Sequence, residues 1–253
     1  MDSIEYLQLT EDNLDSTGCH CMRSMSKYPG YGNKNRFLTL RLGEELKYIH
    51  AKQGKKSLGF IEYIPEEYSW RVLHAPNYLV IHCLWVSETG LGLGTRLIDQ
   101  CIEDAKRRNK EGVVVVTNND TSWAPSKDIF VKKGFACVGK APNSFELYAY
   151  KLGSGPDPYF PNNWAERLAR FGQGLTVLVS GQCPYLHIAA ENVVKVAKAA
   201  GMDPEMIELT TRDQLMELSP TPYGVYGVVF QGELISYHRL TSHSVLKRIK
   251  AVL

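Results

Sequence analysis

The sequence predicts an α/β (α+β) chain of two unequal domains, and three observations predict it. Strand-like and helix-like runs alternate from about residue 4 to residue 152. The alternation breaks at GSGPDPYFPNN, residues 153–163, where three prolines and two glycines disfavour regular structure. A second, more compact α/β pattern then starts at residue 175. The expected boundaries are therefore 1–153 for the first domain, 154–174 for a linker and 175–253 for the second domain.

Each element follows from its own pattern. IEYLQLT is a strand candidate, and TEDNLDS opens a helix with a capping pattern. FLTLRLGEEL has helical spacing, while YIHAKQ and LGFIEYIP read as neighbouring strands around the turn GKK. YLVIHCLWV, residues 78–86, is the most strand-rich run of this half. After it, Leu97, Ile98, Cys101, Ile102 and Ala105 form one face of a helix that begins near Thr95. The basic run KRRNKEG suits the end of that helix. GVVVVTN is a buried strand, SKDIFVKKGF a short helix stopped by Gly134, and FELYAYKL the last strand of the first domain. WAERLARFG is a short helix. The second domain then reads as strand LTVLVS and a helix striped by Ala190, Val193, Val194 and Ala197 and closed by Gly201. Strand MIELT, helix TRDQLMELS, hairpin YGVVF-QG-ELISY and a final helix SHSVLKRIKAVL follow.

Composition narrows the function classes. The chain has 253 residues, 44% hydrophobic and 22% charged, with net charge +2. That charge is too small to argue for nucleic acid or an anionic membrane as partner. No stretch approaches the roughly 18 apolar residues of a membrane span. The N-terminal MDSIEYLQLT carries no signal-peptide pattern. Six cysteines, spread along the chain, are no disulfide framework at this length, so a reduced, cytoplasmic protein is expected. Cys19, His20 and Cys21 lie together, but C-x-C without a partner pair is poor zinc spacing, and no metal is expected.

The stretch SETGLGLGTRLI, residues 87–98, lies between the central strand and its helix. Amides at a helix N-terminus point outward unpaired and carry partial positive charge, and glycines let a phosphate come close. This segment, with its strand and helix, resembles the acyl-CoA-binding segment of the GNAT acetyltransferase superfamily, whose motif is Q/R-x-x-G-x-G/A. Thr89, Gly92 and Gly94 fall on the motif, with threonine in place of the leading Gln/Arg. IFVKKGF, residues 129–135, resembles a later helix end of the same family. The resemblance implies a GNAT-like mixed central sheet flanked by helices and acetyl-CoA as co-substrate. It further implies direct transfer of the acetyl group to an amine of a small molecule or peptide. It implies that the backbone of Trp85 and Val86 holds pantetheine. Thr89, Gly90, Leu91, Gly92, Leu93, Gly94 and Thr95 would hold the pyrophosphate, with Ser126 and Phe130 beside the cofactor. Many relatives place an acidic tyrosine where this chain has Phe130. His82 is a base candidate, since an ordinary imidazole titrates near neutrality, and Glu62 on the neighbouring strand is a second. On a regular strand Cys83 would face away from His82.

The second domain holds SGQCPYL, residues 180–186, after a strand and at the start of a helix. Pro184 suits the first helical turn, which leaves Cys183 at the N-cap, a position that favours thiolate. CPY before a helix resembles the glutaredoxin active site, with Leu186 where a resolving cysteine would stand. This implies a smaller thioredoxin-like α/β domain, and the pair of domains resembles the YoaP-like architecture. Two other functions stay open: a thiol- or redox-linked protein using Cys183 with the acyl-CoA domain as sensor, and a non-catalytic acyl-CoA-binding module. Oligomeric state and the identity of the acceptor are not readable.

Overall fold

The computed structural model describes residues 3–88 and 90–252. Thr89 of the expected pyrophosphate loop lies outside the described residues. The chain divides into two compact units. The first comprises residues 1–23, 38–69 and 73–160, and the second residues 24–37, 70–72 and 161–253. The division is not the linear one expected. Most of helix α2 (Pro29–Leu42) and the tripeptide Trp70–Val72 count with the C-terminal unit.

The first unit is built on a seven-stranded sheet in the order β1-β2-β3-β4-β5-β7-β6. Its strands are β1 (Glu5–Gln8), β2 (Lys47–Gln53), β3 (Lys56–Pro65), β4 (Tyr78–Val86), β5 (Gly112–Asn118), β6 (Ala136–Ala141) and β7 (Phe145–Lys151). All neighbours are antiparallel except β4 and β5. A parallel pair needs a crossover, and α3 (Leu93–Arg107) supplies it. One face of α3 packs Leu97, Ile98, Cys101 and Ile102 against Ile49, Ile61, Leu79, Ile81 and Val115 of the sheet. Strand β5 is buried at every position, which explains its unbroken valine run. Helix α1 (Glu11–Thr17) starts with a Thr10–Asn13 capping box, and α4 (Lys127–Lys132) is N-capped by Ser126. Strand β6 has no counterpart in the sequence reading. ACVGKA is an exposed edge strand with a register shift, so it lacks the apolar alternation that marks a half-buried strand.

The expected linker is partly structured. Tyr159 and His74 exchange two backbone hydrogen bonds of 2.9 Å, and the Gly155 amide donates to Glu111 Oε2 at 2.9 Å. Residues up to Phe160 therefore belong to the first unit.

The second unit has a four-stranded sheet, β11-β10-β8-β9. Its strands are β8 (Leu175–Ser180), β9 (Glu205–Leu209), β10 (Tyr226–Phe230) and β11 (Glu233–Ser236). Strands β8 and β9 are parallel, joined by α6 (Pro184–Ala199), and β10 and β11 form the antiparallel hairpin. Helices α5 (Trp164–Ala169), α7 (Arg212–Leu218) and α8 (Ser242–Lys250) complete the unit. Helix α2 was expected only from Phe37, because Gly30 and Gly32 hide its first turns. Gly30 is there for contact: a Cβ would come within 2.5 Å of the Pro184 carbonyl oxygen. Among the described residues no helix is long and apolar enough to cross a membrane.

Candidate active site

The pairing of β4 with β5 sets the geometry. It runs from Tyr78–Gly112 to Ile81–Val115 and stops. From His82 to Val86, β4 remains paired only with β3, while Val116, Thr117 and Asn118 pair with β7. The two central strands thus part at His82, and a wedge opens between them. In proteins generally an open strand edge pairs readily with an extended amide-bearing ligand.

A β-bulge marks the same point. Tyr63 opposes Ile81 and Glu62 opposes Cys83, which leaves His82 as the extra residue. The side chains on the α3 face therefore step from Leu79 and Ile81 to Leu84 and Val86. The bulge breaks the regular alternation on which Cys83 was expected to face away from His82.

The His82 ring is fully buried and held at both nitrogens. Nδ1 lies 3.2 Å from Glu62 Oε1, and Nε2 lies 3.4 Å from Ser69 Oγ. Glu62 and Ser69 are also fully buried. The two base candidates thus form one hydrogen-bonded pair. Ser69, just after the short turn Glu66–Tyr68, carries no sequence signal that joins it to His82.

The same sheet face carries a second cluster. His20 stacks over Trp85 at 4.4 Å and Phe60 at 5.3 Å, and its Nδ1 lies 2.7 Å from Ser57 Oγ. The Tyr48 hydroxyl accepts from the His20 amide at 3.0 Å. Burial, aided by the charge of Arg23, lowers the His20 pKa to about 4, so the ring is neutral at pH 7. His50 accepts the same fate: burial outweighs its hydrogen bond to Gly18 O and brings it to about 4. Cys19 donates to Cys21 O at 3.3 Å, and no metal-holding group of three ligands exists among the described residues.

Beyond Val86 the chain turns on Gly90 (φ +88°) and Gly92 (φ +68°), both left-handed, and α3 begins at Leu93, two residues earlier than expected. A Cβ at Gly90 or Gly92 would meet no protein atom within 4 Å. Those glycines serve the turn and leave open space above it. The amides of Leu93, Gly94 and Thr95 precede the first intrahelical bond, Arg96 N to Gly92 O. Helix heads of this kind are places where anions bind in proteins generally. Gly94 has a different reason: a Cβ there would lie 2.6 Å from Ile129 Cδ1, so the glycine lets α3 and α4 close up.

The flanking candidates divide. Ser126 is exposed at the N-cap of α4 and accepts from Asp128 N at 3.4 Å. Trp85 is 45% exposed. Phe130 is fully buried, edge-on to Phe135 among Leu97 and Ile98, so its ring is core and not a cofactor wall. The expectation of Phe130 beside the cofactor is corrected on that ground.

In the second unit Cys183 is the N-cap of the sixteen-residue α6, with Pro184 at its first position, and is half-buried. Neighbouring Gln182 accepts from Arg71 Nη1 at 2.5 Å. Arg71 is fully buried, and its guanidinium lies 4.0 Å over the Tyr223 ring. Asn33 contacts the His187 ring at 3.0 Å one turn into the helix.

Residues 7–124 match the Acetyltransferase (GNAT) family. The whole chain is similar to a curated protein of Bacillus subtilis (strain 168), "Uncharacterized N-acetyltransferase YoaP", at 26% identity over 252 residues, 98% of this chain and 99% of that protein. Among solved structures it is similar to the aminoglycoside 6'-N-acetyltransferase from Enterococcus faecium (16% identity, TM-score 0.44, 60% of this chain and 99% of that one). It is also similar to a GNAT family acetyltransferase from Brucella melitensis in complex with acetyl-CoA (13% identity, TM-score 0.39, 64% and 97%).

Proposed function

We propose that the protein is an N-acetyltransferase that moves the acetyl group of acetyl-CoA directly to an amine of a small molecule or peptide, a reading supported by the match of residues 7–124 to the Acetyltransferase (GNAT) family. The observation that carries the proposal is the fork at His82, where β4 leaves β5 and runs on into an open glycine turn at the head of α3. The backbone of Trp85 and Val86 would hold pantetheine along the wedge. The amides of residues 90–95 would hold the pyrophosphate, with Ser126 alongside. The carbonyl carbon of the thioester would then lie at the fork, beside the His82–Glu62 pair, which takes the proton of the attacking amine.

Cys183 supports a second reading for the other unit. The order β9-β8-β10-β11, with a parallel first pair and a closing hairpin, favours a thioredoxin-like domain. Its N-cap thiol would be reactive as a single group, since Leu186 stands where a second cysteine would complete a redox cycle. Six cysteines spread along the chain, with no disulfide framework in their spacing, support a reduced, cytoplasmic location. Calorimetric titration with CoA, followed by thiol release from acetyl-CoA over a panel of amines, tests the first reading. Binding with amine-dependent release is expected; no binding would remove it, and binding without release by any amine would leave a non-catalytic acyl-CoA module.

A further inference from the structure

The imidazole of His82 has no free nitrogen to offer a substrate. Glu62 Oε1 faces Nδ1 and Ser69 Oγ faces Nε2, and all three residues are fully buried. A carboxylate only accepts, so Nδ1 carries the proton and Nε2 is the basic nitrogen. Nε2 then accepts from the Ser69 hydroxyl. The Ser69 oxygen keeps lone pairs for a further donor. From this geometry, and resting on the acetyltransferase reading, we infer that Ser69, His82 and Glu62 form a proton relay whose outer member is the Ser69 hydroxyl, closed off from solvent in this state and reached by the acceptor amine when the site opens to take substrate.

The steps balance. The amine nitrogen attacks the thioester carbonyl, the C–N bond forms, and the C–S bond breaks with its electron pair on the CoA thiolate. The surplus ammonium proton passes to Ser69 Oγ as the Ser69 proton moves to His82 Nε2. Glu62 stabilises the resulting imidazolium across Nδ1. The proton then returns through Ser69 to the thiolate, giving free CoA thiol. One relay thus serves as base and then as acid, which answers the phenylalanine at position 130, where many relatives carry an acidic tyrosine. The Ser69 contact, at 3.4 Å, is long for a hydrogen bond, and such contacts tighten when substrate is seated. Burial keeps water from short-circuiting the relay. The Tyr48 phenol from β2 senses the Glu62 charge, and burial pushes its own pKa far up, so it stays neutral.

The test has two arms on the full chain. In the first, Ser69→Ala should lower kcat about 10²-fold while the KM for acetyl-CoA stays within about twofold, and the solvent deuterium effect on kcat should shrink. In the second, nitrogen NMR of ¹⁵N-histidine-labelled protein reads the tautomer without any activity. The wild type should show His82 as the Nδ1–H form, and Glu62→Gln should allow the Nε2–H form, because a glutamine amide can donate. A wild type in the Nε2–H form overturns the relay. So does a Ser69→Ala enzyme with kcat within threefold of wild type. A protein with the Nδ1–H tautomer and no acetyl transfer would instead count against the acetyltransferase reading, so the two failures are distinguishable.

Discussion

Each unit contains one strand–helix–strand crossover between parallel strands, and the two differ where it matters. In β4–α3–β5 the strands stay together for four pairs and then part. In β8–α6–β9 the ladder holds from Thr176–Glu205 to Ser180–Leu209, the whole strand. In the first, the chain enters the helix through two left-handed glycines that bring no side chain to the helix head. In the second, it enters through Gln182, Cys183 and Pro184, which bring a thiol to the same place. Both helix heads carry the partial positive charge of the helix dipole. What fills the cap differs: bare backbone in the first leaves open space, and in the second a thiol stands at the same place. The strands part in the first crossover and stay together in the second.

That contrast can be broken at several points. If the fork is where proton transfer occurs, His82→Ala lowers the acetylation rate by roughly 10²–10⁴ with CoA affinity kept. A calorimetric Kd unchanged beside a near-normal rate would move the chemistry away from the fork. Gly92→Val puts a branched side chain at φ +68°, a conformation costing about 1–2 kcal/mol for a non-glycine residue, and adds bulk to the space left for phosphate. We expect CoA affinity to fall at least about tenfold; equal affinity would mean that the turn does not hold the ligand. For the second crossover, iodoacetamide labelling followed by mass spectrometry should find Cys183 modified at least about tenfold faster than Cys101. Cys101 is fully buried on α3, and burial pushes its thiol pKa well up. Equal rates would make Cys183 a structural cap.

Acid should act on the first unit's sheet face. The pKa values of His20 and His50 are lowered from the ordinary 6.5 to about 4, so the unfolded chain takes up protons that the folded one refuses. Stability is full above pH 6.5 and falls as the pH drops toward 4. Urea unfolding at pH 7 and pH 5, followed by tryptophan fluorescence, should show the midpoint decreasing; a midpoint that rises would contradict the assignment. The smallest effect is expected at Gly94→Ala. The new Cβ presses only on the end of the Ile129 side chain, costing less than about 1.5 kcal/mol of stability, with CoA affinity unchanged. A large loss of affinity there would mean that the ligand lies against the Gly94 Cα as well as its amide.

The sequence made these elements legible where a strand is buried along most or all of its length. YLVIHCLWV, GVVVVTN and LTVLVS were readable to the residue as β4, β5 and β8, because buried strands are written in β-branched and aromatic side chains. The start of α2 was not, since Gly30 stands there for a backbone contact with Pro184, more than a hundred residues on. The site divides in the same way. The glycine turn announces itself locally. The bulge at His82 is a matter of register between two strands, and no local pattern reports it. Ser69 joins His82 through a turn whose course no spacing rule predicts. Phe130 shows the converse: position in a motif suggested a cofactor wall, and the apolar side chain went to the core.

The interleaved make-up of the second unit bears on how the protein is made. Gly30, Asn33 and Phe37 lie against the segment Gly181–His187, and Arg71 reaches Gln182, yet synthesis delivers these residues far ahead of that segment. On the ribosome, at about 5–20 residues per second, residues 24–37 emerge and wait several seconds for the strand and helix they will cover. Closing loops of that length precedes any reward from the contacts, which makes late, slow assembly of this unit the expected order. It also means that residues 161–253 are not a detachable module. A truncation at the apparent linker strips the cover from Pro184 and the arginine from Gln182, leaving the cysteine loop exposed to solvent and to aggregation.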